Sequence, residues 1–344
     1  MRVGRAATAW LSERCGRENG AALIVVLWIF IFLFVVAFEF STAAREEATA
    51  AHRFGEEAAG YYLAVAGFER GLYHYLGQSS GAGAARQGER NDWFDGEWRE
   101  EDFGGGRVRV RLVDEGGKIN VNRVSDEQLR RVLTNLGLDN VRRDVLVDSL
   151  MDWRDPDDLH RTNGAEKDYY AGLAPAYAPK NGPLDSVEEM LWIRGMSAGL
   201  FYGYPEDRGG SEERDRPVAL RDIFTVDSPI DRVNLRTASA EVIHALLGIP
   251  LEKCRTFIEE RKKLSEKALG DLLPLLGIGT GHPALQMFIF ANPSVVAVEA
   301  EGKLEDARLA RRVKGIVRLG GTQRFEVLRW VDRELALQQN ESLR

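Results

Sequence analysis

Cysteine is the rarest residue type in this sequence. The 344 residues contain two cysteines, at positions 15 and 254, too few for a scaffold held together by disulfides. Eleven prolines beside 35 glycines exclude a proline-rich disordered chain, and no collagen-like repeat is present. A positive charge excess is missing too, because the formal net charge is −7 and gives a nucleic-acid partner no electrostatic support. The remaining composition is that of a folded chain with material for two or three domains.

One apolar run stands out near the N-terminus. Residues 21–38 carry no charge, and such a run of 18 residues is just long enough to cross a hydrocarbon layer of about 30 Å. It is longer than the apolar core of an ordinary secretory signal. Arginine exceeds glutamate in the segment before it, which places the N-terminus in the cytoplasm and the rest outside. A simple signal anchor and a signal cleaved near Ala43–Ala44 are both compatible with these features.

The position of Gly20 favours a third interpretation. The apolar run begins directly after this glycine, and the leader before it is polar. Ordinary signals are cut after their apolar run, whereas a glycine before the run is typical of a prepilin leader, which is cut on the cytoplasmic side. We therefore predict processing between Gly20 and Ala21, which would remove Cys15 and leave Cys254 without an intrachain partner.

The chain after the apolar run predicts a continuation of the same helix. Apolar residues recur in steps of three and four from Ala51 to Tyr75, and no proline interrupts residues 21–76. We expect the first half of this helix in lipid and one face of the second half on a globular head. Four glycines within it are expected to mark close packing against that head: Gly55, Gly60, Gly67 and Gly71.

Strand patterns stand at both ends of the remaining chain. Val108, Val110 and Leu112 alternate with arginines, and residues 118–122, 296–300, 313–319 and 325–331 show further strand patterns. Helix signals fill the region between them, including serine capping boxes at Ser125 and Ser186. This arrangement predicts one antiparallel sheet interrupted by a large helical insertion.

The insertion contains a weak internal repeat. Residues 120–127 align with residues 234–241, and the leucines and valines after them also match. Duplicated helical hairpins are the simplest explanation, and a chance resemblance is the alternative. The expected divisions are a leader at 1–20, a transmembrane segment and stem at 21–78, sheet segments at 79–122 and 291–334, the insertion at 123–290 and a tail at 335–344.

Together these features resemble the minor pseudopilin K family of type II secretion, also called general secretion pathway protein K. The resemblance rests on the leader ending at Asn19–Gly20, the apolar span, the strand at 118–122, the acidic stretch at 152–170 and the repeat at Val233. It implies an α+β fold in which a long N-terminal helix packs on an antiparallel pilin-like sheet that carries a large all-helical insertion of duplicated hairpins.

The resemblance also implies a function. Such a protein is expected to be a single-pass inner-membrane protein with a cytoplasmic N-terminus and a periplasmic head, located at the tip of the pseudopilus. Its expected partners are the I and J minor pseudopilins, the pseudopilus, the inner-membrane secretion platform, prepilin peptidase, which also methylates the new N-terminus, and membrane lipid, with secreted substrates or secretin as further candidates. Val25 stands at the fifth position after the cleavage site, where major pilins carry a glutamate, and a tip subunit has no neighbour above it to pair with such a carboxylate.

Six carboxylates fall close together in residues 152–168. Oxygen ligands gathered on an irregular loop suit Ca²⁺, although the spacing is not that of an EF-hand, and a solvated acidic loop explains the same residues. The family resemblance favours calcium. The expected calcium ligands are Asp155, Asp157, Asp158, Glu166 and Asp168.

Two other functions remain as alternatives. Glycine-containing turns at residues 247–249 and 276–279 resemble helix-hairpin-helix turns, so the chain could be a membrane-anchored DNA-binding protein. Acidic residues near those turns weaken this interpretation, and no nucleic acid is expected as a partner. A secreted hydrolase on a signal anchor lacks a credible nucleophile and base, so we expect a protein that is not an enzyme.

Overall fold

The computed structural model combines one long helix, a five-stranded sheet and a helical insertion between two neighbouring strands of that sheet. The described residues are 15–79, 93–204, 218–263, 266–279, 281–305, 307, 310–320 and 324–332. Most of the predicted leader, residues 80–92 and the predicted tail at 335–344 lie outside them.

Helix α1 (Cys15–Ser79) is 65 residues long and continuous, as predicted. At 1.5 Å per residue it is about 98 Å long. The large apolar side chains from Leu23 to Phe40 are all exposed, whereas Leu63, Phe68 and Leu72 are buried against the sheet. The first half of α1 is therefore an exposed apolar helix, and its second half forms part of the core of the head.

The sheet is antiparallel, and α1 crosses one of its faces. Its strands, in order across the sheet, are β1 (Arg99–Phe103), β2 (Gly106–Asp114), β7 (Val295–Leu304), β8 (Arg311–Gly320) and β9 (Arg324–Val331). The four apolar strands confirm the sequence patterns. The edge strand β1 was not expected, because its sequence, REEDF, shows no alternation of apolar residues. The turn at Gly104–Gly105 sets the register in which β1 pairs with β2.

Glycine lets α1 approach the sheet closely. A methyl group on Gly67 would overlap Val108, and one on Gly71 would overlap Val298. Gly60 lies over Gly302 of β7, so two backbones meet there without side chains between them. The expectation of close packing is confirmed at these three helix positions but wrong for Gly55, which has nothing near it because it precedes the contact with the sheet.

The opposite face of the sheet is held by ion pairs. Glu299 of β7 is buried and pairs with Arg111 of β2 at 2.6 Å and with Lys314 of β8 at 3.4 Å. Burial by itself would raise the pKa of Glu299, but the charges of Lys314 and Arg111 outweigh it and lower the pKa to about 2. The outer face therefore combines charges that are paired across three strands with a small apolar cluster of Val295, Ala297 and Ile316.

The insertion has a hydrophobic core of its own, separate from the core under α1. Its helices are α2 (Asp126–Asn135), α3 (Asn140–Arg154), α4 (Lys167–Ala171), α5 (Ala198–Tyr202), α6 (Leu220–Ile223), α7 (Ala240–Leu247) and α8 (Leu251–Lys263). It also contains short strands: β3 (Ile119–Asn120) pairs in parallel with β4 (Phe224–Thr225), and β5 (Val233–Asn234) with β6 (Phe288–Ile289). These two pairs are the exception to an all-helical insertion, and two-residue strands leave no alternation to detect in the sequence.

Matching hydrogen bonds confirm the duplication. Asn120 of β3 donates its side-chain amide to the Ser228 carbonyl, and Asn234 of β5 donates to the Ala291 carbonyl. A serine caps the next helix in both halves, at Ser125 and at Ser239. The second helix of each hairpin then places an arginine against main-chain carbonyls that precede the first helix. Arg154 donates to the carbonyls of Val121 and Val124, and Arg261 donates to those of Leu235 and Ala238.

Buried polar contacts join the insertion to the end of β2. Asp114 accepts hydrogen bonds from Asn234 at 2.8 Å and from Thr237 at 2.6 Å, both in the second hairpin. Glu115, the next residue, is buried and pairs with Lys118 at 3.1 Å, directly before β3 of the first hairpin. The last residue of β2 is thus hydrogen-bonded to the second hairpin, and the next residue, just beyond the sheet, pairs with the start of the first hairpin.

The insertion leaves the sheet at the end farther from the apolar half of α1. Gly60 of α1 lies against the end of β7, at Gly302, whereas Gly71 lies near Leu112, close to the end of β2. Tyr75, further along α1, reaches the carbonyl of Pro293, just before β7 begins. The chain enters the insertion after Asp114 and returns at Val295, so both connections lie at this far end.

The contact between Gly60 and Gly302 generates a stability prediction. In Gly302→Ala the new methyl group meets the main chain of Gly60 and Ala64 and has no flexible neighbour to displace, so we expect a loss of about 1–3 kcal/mol in the free energy of unfolding. Gly55→Ala is the matched control and should be neutral or stabilising by up to about 1 kcal/mol. Denaturant unfolding of the detergent-solubilised chain measures both, and equal midpoints would contradict the proposed contact.

Candidate cation site

The acidic stretch forms an irregular loop between α3 and α4. Helix α3 begins at a cap from Asp139, whose carboxylate accepts the main-chain N–H groups of Val141 and Arg142 at 3.0 Å. It ends at Arg154, and Asp155 follows with an extended backbone. Pro156 accounts for this end, because a residue before proline is disfavoured in the helical conformation. The loop then returns to the helix, so that its acidic residues lie beside the last turn of α3.

Asp152 lies on the inner side of this loop and is fully buried. Its carboxylate accepts the main-chain N–H of Arg161 at 3.1 Å and the guanidinium of the same residue at 3.0 Å. Any side chain at Gly164 would overlap this carboxylate, so the loop closes over Asp152 only because position 164 is glycine. Asp155 accepts the Arg161 guanidinium at 2.7 Å through Oδ2, while its Oδ1 is buried and has no hydrogen-bond partner.

Glu166 is the most unusual carboxylate in the loop. It is 5% exposed, and neither of its carboxylate oxygens has a hydrogen-bond partner. It stands at the start of α4 without capping that helix through its side chain. Burial, reinforced by the nearby charges of Asp152 and Asp155 and then of Asp158 and Asp157, raises the pKa of Glu166 to about 7. An unpartnered carboxylate in acidic surroundings is costly, and a bound cation would remove that cost.

The other expected ligands lie further out. Asp157 accepts the main-chain N–H of Leu159 at 2.9 Å, and Asp158 accepts the side-chain amide of Asn181 at 3.0 Å. Both are exposed, yet both lie close enough to act on Glu166. Asp168 is exposed in the first turn of α4 and is not among the charges that act most strongly on Glu166. Its role as a ligand stays a prediction.

The buried polar atoms of this region that lack a partner are mostly of the type that binds a hard cation. Among buried side-chain polar atoms without a hydrogen-bond partner in the described residues, those of this region are Ser149 Oγ, Trp153 Nε1, Asp155 Oδ1, Glu166 Oε1 and Oε2, and Asn181 Oδ1. Five of these six atoms are oxygens, the atom type that Ca²⁺ prefers. In the described part of the chain no three His, Cys, Asp or Glu side chains already stand together as a metal cluster. A cation would therefore need the loop carboxylates to turn toward it.

The roles of two residues at this site could not be predicted from the sequence. Arg161 is the counter-charge of Asp152 and Asp155, but an arginine inside an acidic stretch looks like an ordinary solvated residue. Asn181 has a positive φ of 50° and donates to the Asp157 carbonyl at 3.0 Å, although 24 residues separate the two. The only signal at Asn181 is the Asn–Gly dipeptide, which predicts a turn and nothing about its partner.

The hairpin turns do not favour the DNA-binding alternative. Phosphate binding by such hairpins needs free main-chain N–H groups at the start of the second helix. At the predicted turn 276–279 the main-chain N–H groups of Gly277 and Ile278 already donate to the carbonyls of Pro274 and Leu273. In the first hairpin, whose turn was not among the predicted ones, the Asp139 carboxylate accepts two main-chain N–H groups. In the second hairpin Pro250, which has no N–H, directly precedes α8, and Glu252 adds negative charge to its first turn.

The described residues contain one helix that is long and apolar enough to cross a membrane, and it is α1. Gly20 and Ala21 lie inside the continuous backbone of this helix, and processing between them stays a prediction. Val25, the fifth residue after that bond, is exposed, like its apolar neighbours.

Comparisons with known proteins connect this fold to one secretion component. The family model described as type II secretion system (T2SS), protein K matches residues 110–202, which include the whole acidic loop. Type II secretion system protein K of Klebsiella pneumoniae is 29% identical over 206 residues, which cover 54% of this chain and 60% of that protein. The protein of the same name from Pseudomonas aeruginosa is 27% identical over 191 residues, covering 52% of each chain. The chain thus matches between half and two thirds of the length of these relatives.

A solved structure extends the likeness to the fold. A chain in the crystal structure of the GspK–GspI–GspJ complex from the enterotoxigenic Escherichia coli type 2 secretion system superposes with a TM-score of 0.60. The match covers 84% of this chain and 99% of that one at 17% sequence identity. It confirms the expected α+β fold with its long N-terminal helix, antiparallel sheet and helical insertion. The resemblance to the protein K family of type II secretion, expected from the sequence, is therefore confirmed.

Proposed function

We propose that this chain is a minor pseudopilin that stands at the tip of a type II secretion pseudopilus, where it initiates or caps the fibre and aids export of folded proteins across the outer membrane. The observation that carries this proposal is the continuity of α1. Its exposed apolar half is suited to lipid, or to the helical core of a fibre, and its second half is the spine of the head.

The place of the insertion supports the tip position. The insertion leaves the sheet at the end farther from the apolar half of α1, where a subunit inside a fibre would need to receive the next head. Val25 supports the same position, because an apolar residue needs no partner amine from a neighbour above. Both features suit a subunit that has neighbours below it and none above.

The proposed partners follow from this position. The fold-matched chain was solved in complex with GspI and GspJ, and we infer I-type and J-type minor pseudopilins as neighbours of this chain. The apolar helix requires lipid or the inner-membrane secretion platform before assembly, and prepilin peptidase would trim and methylate it there. Secreted substrates or secretin are candidates for contact with the periplasmic insertion.

Processing gives the first test of this function. We expect the membrane-extracted chain to begin at Ala21, because a fibre subunit must present its apolar helix as a free leading end. Gly20→Leu should accumulate the unprocessed form, whereas Gly16→Leu, the matched change within the leader, should leave processing intact. N-terminal sequencing and intact mass measure both variants. Wild-type material that still begins at Met1, or that has lost the apolar helix, would refute the proposal.

The tip position gives a second, separate test. A tip subunit contributes a fixed number of copies per fibre, so its ratio to the major subunit should fall in inverse proportion to fibre length. Sheared pseudopili separated by length and quantified by mass spectrometry provide that ratio. A ratio independent of length would place the subunit along the shaft and remove the tip assignment, while leaving the pseudopilin assignment intact.

We further propose that the acidic loop binds calcium. Glu166 and Asp155 would supply the buried oxygens, with Asp157, Asp158 and Asp168 as the other expected ligands. A bound Ca²⁺ would supply positive charge and fix the loop between α3 and α4. The unpartnered oxygens of Glu166, buried among aspartates, support this assignment most directly.

Calorimetric titration with CaCl₂ tests the calcium proposal. Glu166→Gln should weaken binding by at least about tenfold, because it removes one charge and one strong oxygen ligand from the site. Glu188→Gln, an exposed change on a neighbouring segment, should leave the affinity unchanged. No heat in the wild type, together with no change of melting temperature on adding a chelator, would show that the loop holds no calcium.

A further inference from the structure

We propose that Arg161 is a built-in cation that competes with calcium for the carboxylates of the acidic loop. This inference rests on the proposed calcium site and concerns its regulation. The guanidinium would hold the loop together in the absence of metal and would weaken metal binding enough to make it reversible.

The geometry of Arg161 sets it apart from the neighbouring arginines. Its Nη1 donates to Asp155 at 2.7 Å and to Asp152 at 3.0 Å, so one nitrogen bridges two carboxylates. Arg154 instead donates to the main-chain carbonyls of Val121 and Val124. Arg194 donates to the Gly164 carbonyl at 2.9 Å and lies over the ring of Tyr169. Of these three guanidiniums, Arg161 is the one bound to the acidic side chains.

The charge balance explains why this contact is incomplete. One guanidinium stands against Asp152 and Asp155, with Asp157, Asp158 and Glu166 near them, and it gives no hydrogen bond to either oxygen of Glu166. Asp155 Oδ1 is also left without a partner. A single positive charge therefore satisfies part of the loop, whereas a divalent cation could neutralise two charges and take the remaining oxygens.

Arg161 can leave without unfolding the loop. Its side chain is 40% exposed, so the guanidinium has a path into water, where its hydration replaces the lost ion pair. Its main-chain N–H also donates to Asp152, at 3.1 Å to Oδ2, and this bond does not depend on the side chain. The backbone of the loop thus stays attached to α3 through Asp152, while the carboxylate of Asp155 becomes available to a metal.

Removal of the Arg161 charge tests this competition. In calorimetric titrations of the full chain with CaCl₂, Arg161→Met should bind calcium about tenfold more tightly than the wild type, because the positive charge next to the divalent ion is gone. Arg161→Gln, which keeps a hydrogen-bond donor for Asp155 and also lacks the charge, should behave alike if the Met variant does not fold. Arg161→Lys retains the charge and should stay near the wild-type affinity.

The control and the second readout separate this role from a merely structural one. Arg131→Met deletes the same charge from a surface pair with Glu127 and should change calcium affinity by less than about twofold. Without calcium, Arg161→Met should melt below the wild type, and saturating calcium should remove the difference. Unchanged or weaker binding by both neutral variants, with binding retained by the wild type, overturns the competition alone. Absence of binding in the wild type and both variants overturns the calcium site and the competition with it.

Discussion

The close approach of α1 to β7 is the contact on which the rest of the molecule depends. Gly60 and Gly302 bring two backbones together, and Gly67 and Gly71 let the valines of β2 and β7 reach the helix surface. The sheet has no other helix on this face among the elements that the structure describes, so the core of the head consists of side chains from α1, β2, β7 and β8, together with Trp93 and Phe94. Because the same helix is apolar and exposed over its first half, the packing of the head fixes the direction in which that apolar half leaves it.

The insertion is fixed to the sheet by polar contacts where the sheet core ends. Asp114 holds the second hairpin through Asn234 and Thr237, and Glu115 holds the approach to the first through Lys118. Burying a carboxylate is costly unless hydrogen bonds or an opposite charge compensate it, and that requirement restricts the geometry of the partners of Asp114 and Glu115. The contacts of Asp114 tie the second hairpin to the end of β2, whereas the pair of Glu115 and Lys118 spans three residues and fixes the turn that leads into the first hairpin.

The sequence predicted the parts of the fold that follow a period. The steps of three and four in α1 and the alternation in β2, β7 and β8 each mark one buried face, and both the long helix and the sheet followed from them. Strand β1 could not be predicted, because an edge strand needs no apolar face. The two parallel strand pairs could not be predicted either, because strands of two residues are too short to show an alternating pattern. The acidic loop was visible as composition, but the roles of Arg161 and Asn181 depend on contacts across the loop that spacing does not encode.

The duplication makes the acidic loop more informative, because the two hairpins share a framework and differ in the segment that comes after the second helix. Both halves return an arginine from the second helix to the carbonyls before the first, through Arg154 and Arg261. After α3 the chain forms a loop rich in aspartate, whereas the segment 266–276 beyond α8 is rich in leucine and contributes Leu272, Leu273 and Leu276 to the core. Folding of the hairpin therefore does not require buried carboxylates, since the second half is built without them. Among the described residues, the unpartnered carboxylate of Glu166 has no counterpart in the second half, and the proposed cation would offset the cost of burying it.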